Sequence, residues 1–90
     1  MSVSDGLREK LEYAFTMESS TALREVAREA TVYVQSVQVL LRQADEAIQR
    51  GDYVNYVDPQ KTRAACLKEI DALQKINRDA NAEVERREGR

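Results

Sequence analysis

Ninety residues, 42% apolar and 33% charged, suffice for one small helical domain and leave no room for a second. A net charge of −2 with both signs mixed along the chain excludes the concentrated basic face of a nucleic-acid binder. With no histidine and one cysteine, the commonest general base, the usual zinc ligand sets and an internal disulfide are all excluded.

The opening Met-Ser-Val-Ser-Asp is not the basic, then apolar pattern of a secretory signal, so a cytoplasmic, reducing compartment is expected. A short helix is expected from about Asp5 to about Met17, with Leu7, Leu11, Ala14 and Phe15 on one side. Ser4 or Asp5 would cap it, since their side-chain oxygens can accept from the first unpaired amides. At Glu18-Ser19-Ser20-Thr21 a break or bend is expected, with serine or threonine available to cap the next helix.

From Ser20 to Arg50 there is neither glycine nor proline, which predicts one long helix. Leu23, Val26, Ala30, Tyr33, Val37, Leu40, Ala44 and Ala47 follow three-four spacing; so do Ala27, Ala30, Val34, Val37, Leu41, Ala44 and Ile48. The two stripes form an apolar face wider than one neighbouring helix covers. Thr31-Val32-Tyr33-Val34 and Val37-Gln38-Val39 are rich in strand formers, but alternation fails at Gln35-Ser36 while the helical period persists on both sides. The stretch Gln35 to Leu40 carries no charge, which fits either a core or an interface; Val32 and Val39, away from the first stripe, favour an interface. No uncharged window reaches the ~20 residues of a membrane span.

Arg50 complements the negative end of the helix dipole, and Gly51 suits a left-handed C-terminal cap. A loop is expected over residues 51–58. Asp58 is a good N-cap and Pro59 a good first helical residue. Tyr53 and Tyr56 in the loop read either as plugs for the open end of a hairpin or as interface anchors.

A third helix is expected from about Pro59 to Glu85, with a narrower stripe: Cys66, Ile70, Leu73, Ile76 or Asn77, Ala80 and Val84. Asp71 before Lys75 and Glu83 before Arg87 are at ion-pair spacing. Residues 86–90, where Arg86, Arg87 and Arg90 interleave with Glu88, are expected to fray. Helices of ~46 and ~40 Å at 1.5 Å per residue, joined by a short loop, return antiparallel. The fold class is therefore all-α: a long hairpin with a short N-terminal helix and coiled-coil-like packing.

No catalytic, cofactor-binding or metal-ligating residue emerges. Cys66 reads as a small core residue, and Glu25/Glu29 and Asp45-Glu46 as solvated faces. The loop between Asp52 and Asp58 lacks the alternating oxygen ligands and central glycine of a calcium site. The expected function is non-enzymatic protein interaction, as an adaptor, inhibitor, assembly factor or small chaperone. Its partner would be a protein or a second copy, with a homodimer or larger assembly expected, and no nucleic acid or membrane. The expected contact residues are Tyr33, Val34, Val37, Leu41, Ile48, Tyr53 and Tyr56.

From Gln43 to Gly89 the order of helix end, Ala-Ile-Gln-Arg-Gly, tyrosine-containing loop and Lys-Thr-Arg-Ala-Ala-Cys-Leu-Lys-Glu-Ile faintly resembles the small head–tail joining proteins of tailed phages. That implies a structural component of a larger assembly, although those proteins carry a longer β-hairpin than residues 52–58 permit. The hairpin is also similar in outline to the chaperones of type III secretion needle subunits, which implies binding to a helical-repeat partner. Each resemblance covers about half the chain and rests on no specific motif.

Overall fold

The computed structural model describes residues 2–51 and 58–89, so Tyr53 and Tyr56 lie outside the described residues. The described residues form three helices and no strand: α1 (Val3–Phe15), α2 (Thr21–Arg50) and α3 (Pro59–Glu88). As the punctuation of the sequence leads one to expect, α2 and α3 pair closely as a hairpin and α1 packs on both.

The cap of α1 differs from expectation. Ser2 Oγ accepts from the Asp5 amide and Asp5 Oδ2 accepts from the Ser2 amide, each at 3.3 Å, closing a capping box two residues before Ser4 and three before Asp5. Ser4 is instead buried: its amide and its Oγ donate to the two carboxylate oxygens of Glu69 on α3, at 2.8 and 2.9 Å. The chain breaks between Phe15 and Thr21, where a bend was expected. The Ser20 side chain makes no capping bond, and the Thr21 amide donates to Ser19 Oγ at 3.1 Å.

At the end of α2, Gly51 takes the left-handed conformation (φ 66°), which its missing Cβ makes cheap, and its amide turns back to carbonyls of the last turn. Asp58 Oδ1 accepts from the Lys61 amide at 3.1 Å, so α3 starts where the Asp-Pro pair placed it. Its end was placed too early. Arg86 and Arg87 are helical, because Glu83 one turn back receives both guanidinium groups.

The main core cluster lies at one end of the hairpin, while Ala44, Ala47, Pro59 and Cys66 are buried toward the other. Leu7, Leu11 and Ala14 of α1 pack with Leu23, Val26, Ala27 and Ala30 of α2 and with Leu73, Ile76 and Ala80 of α3. Leu11, Leu23, Leu73 and Ile76 are almost fully enclosed, each worth roughly 1.5–3 kcal/mol of apolar burial. The alternative left open on α3 resolves into two roles. Ile76 enters the core, while Asn77 Nδ2 donates to the Ala27 carbonyl at 2.8 Å and to Thr31 Oγ1 at 3.2 Å, tying α2 to α3.

α3 holds α1 at both ends. The Glu69 carboxylate meets the first turn of α1, where the helix dipole is positive. Eighteen residues further along α3, Arg87 donates to the carbonyls of Phe15 at 3.0 Å and Met17 at 2.8 Å, with longer contacts to Glu18 and Ser19. Those carbonyls lie at the negative end of α1 and in the turn after it. Between the two, Arg8 donates to Asp79 at 3.0 Å. α1 therefore runs parallel to α3 and antiparallel to α2, where Lys10 meets Glu29.

Candidate interaction surface

α1 is 13 residues long and α2 and α3 are 30 each, so α1 spans ~20 Å of a hairpin ~45 Å long. The consequence is visible along α2. Burial is complete at Ala30 and again at Ala44, yet no residue from 31 to 43 is fully buried. In that stretch Val32 is 53% exposed, Tyr33 38%, Val39 47% and Leu40 51%. The expected first stripe therefore leaves the core at Tyr33 and Leu40 and returns to it at Ala44 and Ala47.

Helical spacing sorts the expected contact residues onto two sides. Tyr33 follows Glu29, the partner of Lys10 in α1, by one turn; Val37 follows Ala30 by two turns, and Leu40 follows Tyr33 by two. These three continue the side of α2 that faces α1. Val34 lies on the other side, in a shallow groove with Thr31, Gln74 and Asn77. Ile48 lines a second groove there with Asp45, Gln60, Arg63 and exposed Leu67. Leu41 is half-buried. Tyr33 and Val37 thus share one face, while Val34 and Ile48 belong to another. Val34 and Val37 also pack against the core, which gives both a structural role.

The ion pairs add detail that local spacing missed. Lys75 pairs with Asp79 at 3.3 Å rather than with Asp71, leaving Asp79 between Lys75 and Arg8. Burial pushes the Asp79 carboxyl up, but hydrogen bonds from Arg8 and Lys75 and their charges outweigh it, and the net shift is downward. Glu83 is held at about 2 by hydrogen bonds from Arg86 and Arg87. Glu29 and Asp45, expected on solvated faces, reach Lys10 and Arg63. Arg24 of α2 also reaches Glu88 at the end of α3. Cys66 is buried; burial, then the nearby Asp45 charge, pushes its thiol up, away from nucleophilic character.

Leu40 is the most exposed of the three residues that continue the α1-facing side, although sequence reasoning placed it only in the core stripe. Its seven-residue spacing from Tyr33 was legible; the point at which α1 stops covering it was not. Among the described residues no group of acidic or cysteine side chains converges on a metal-sized site, and no helix is long and apolar enough to cross a membrane. No family model, curated protein or solved structure matches the chain.

Proposed function

We propose that this chain is a non-enzymatic protein-interaction module that presents the exposed stretch of α2 between Ala30 and Ala44 to a partner protein or to a second copy of itself. One observation carries this reading. Val32, Tyr33, Val39 and Leu40 are exposed within nine residues of a helix that contains one charge, Arg42, between residues 30 and 44. Singly exposed apolar residues are ordinary, but a run of them on a regular helix marks an interaction surface. Helical hairpins bind in this way by adding a further helix to an apolar groove.

The test compares wild type with Leu40→Glu, a site exposed enough to accept a charge without disturbing the core. Both proteins are measured by light scattering over a concentration series and used to capture proteins from the source cell. Wild type is expected to self-associate or to retain a protein that Leu40→Glu loses, with equal helicity in the two. Identical mass and identical capture would remove the reading.

A further inference from the structure

Beyond that reading, we propose that the groove between α1 and α2 receives a short arginine-bearing segment of a partner protein. The groove has a volume of about 560 Å³. Its apolar part is Tyr13 of α1 and Met17 of the turn after it, with Ala22 and Val26 of α2. Tyr13 is 69% exposed and Met17 39%, and neither belongs to the core cluster. Gly6 lines the groove as well. Glycine is the poorest helix former after proline, yet Gly6 has ordinary helical backbone and a Cβ there would meet nothing within 4 Å. Nothing in this chain requires a glycine at that place. What it provides is room for the backbone of another chain to approach α1 closely.

The rim of the groove is acidic. It carries Glu9 of α1 and Glu25 and Glu29 of α2 against one cation, Lys10, which pairs with Glu29 at 3.5 Å. Glu9 and Glu25 are exposed and have no ion-pair partner among the described residues. Glu9 stands one turn before Tyr13, so an open carboxylate flanks an open aromatic ring. An arginine matches both. Its guanidinium stacks on a tyrosine face and donates in a planar fork to carboxylates, while its stem covers apolar surface. A lysine supplies the charge without the fork, and an acidic segment is repelled. Size sets the form of the occupant. Ala22 to Glu29 is about 10 Å of helix, which roughly three extended residues span. The groove therefore suits a short extended segment and not a further helix. It ends at Glu29, which also lines a smaller groove with Arg28, Val32 and Tyr33, so the segment leads on to the exposed stretch of α2.

Three short capped peptides of leucine and glycine serve as probes, carrying arginines, lysines or glutamines at the same positions. Each is titrated into the full isotope-labelled chain, where amide chemical shifts report both affinity and place. The arginine peptide is expected to move amides lining the groove, from Gly6 to Met17 and from Ala22 to Glu29. The lysine peptide should bind more weakly and the glutamine peptide not at all. Glu9→Gln/Glu25→Gln should weaken the arginine peptide about tenfold, and Tyr13→Ala by a similar factor. Gly6→Leu should abolish binding by filling the groove. All these variants should keep wild-type helicity, because residues 9, 13 and 25 are exposed and a side chain at 6 enters open space. Leu40→Glu should bind the arginine peptide as wild type does. No binding of that peptide, equal binding of the lysine or glutamine peptide, or undiminished affinity in the groove variants would each overturn the proposal. Shifts centred on Leu40 and lost in Leu40→Glu would assign the peptide to the exposed stretch of α2, which also overturns it. Either reading can fail without the other: capture by wild type and not by Leu40→Glu stands whether or not the arginine peptide enters the groove.

Discussion

Arg87→Ala should release α1 from the hairpin, and the size of the effect follows from four hydrogen bonds. The guanidinium donates to Met17 at 2.8 Å and Phe15 at 3.0 Å, and at 3.3 and 3.4 Å to Glu18 and Ser19. A hydrogen bond to a charged group is worth about 1.5–3 kcal/mol when well enclosed. Here Arg87 is 17% exposed and the carbonyls belong to exposed residues, so water recovers part of each. Counting about 1 kcal/mol for each of the two short bonds and little for the longer pair gives a loss of about 2 kcal/mol. For a chain of this size that corresponds to a melting temperature lower by roughly 8–16 °C. Arg87→Lys keeps the charge but loses the planar fork, and should fall between wild type and alanine. Urea unfolding gives the magnitude, and amide exchange gives the place: residues 3–20 should lose protection before the α2–α3 pair does. An Arg87→Ala protein within ~0.5 kcal/mol of wild type, with unchanged exchange in residues 16–20, would refute the bracing of α1 from α3.

Asp58→Ala should cost about 1 kcal/mol through the lost bond to the Lys61 amide, measured by urea unfolding; a change below about a third of that would mean the cap contributes little. Acid should loosen the α1 bracket. Glu83 at about 2 and the lowered Asp79 bind fewer protons folded than unfolded, so the stability they give is complete above about pH 5 and is lost as pH falls toward about 2. Melting temperature against pH should show that descent, shallower in Glu83→Gln; superimposable profiles would exclude Glu83 from it. Val37→Glu should destabilise the folded monomer itself by several kcal/mol, because Val37 packs on the core, and Leu40→Glu should not.

The elements were legible in the sequence because their signals are local. Gly51, Asp58 and Pro59 act through their own backbone and their nearest turn, and the break before Thr21 needed only a cluster of small polar residues. The cap of α1 was misplaced because Ser2, Ser4 and Asp5 all satisfy the local rule. What decides among them is Glu69, which claims Ser4 from 65 residues away. The end of α3 was placed too early although a local signal, Glu83 at ion-pair spacing from Arg87, was present. Its last turn is braced locally by Glu83, while Arg87 reaches a turn 70 residues earlier, a contact no periodicity contains. The candidate surface was legible only as an excess of apolar residues on α2. Its division into the face of Tyr33, Val37 and Leu40 and the face of Val34 and Ile48 depends on which groove α1 enters.

The central claim is that contacts form on the exposed stretch of α2 between Ala30 and Ala44, on the side that faces α1. A photo-crosslinking amino acid placed at Leu40, and separately at exposed Arg78 on the outer side of α3, tests this in the source cell. Leu40 should give a discrete crosslinked protein or a crosslinked dimer that excess unlabelled chain competes away, and Arg78 should give none. Equal yields at the two positions, or a product only from Arg78, would contradict it.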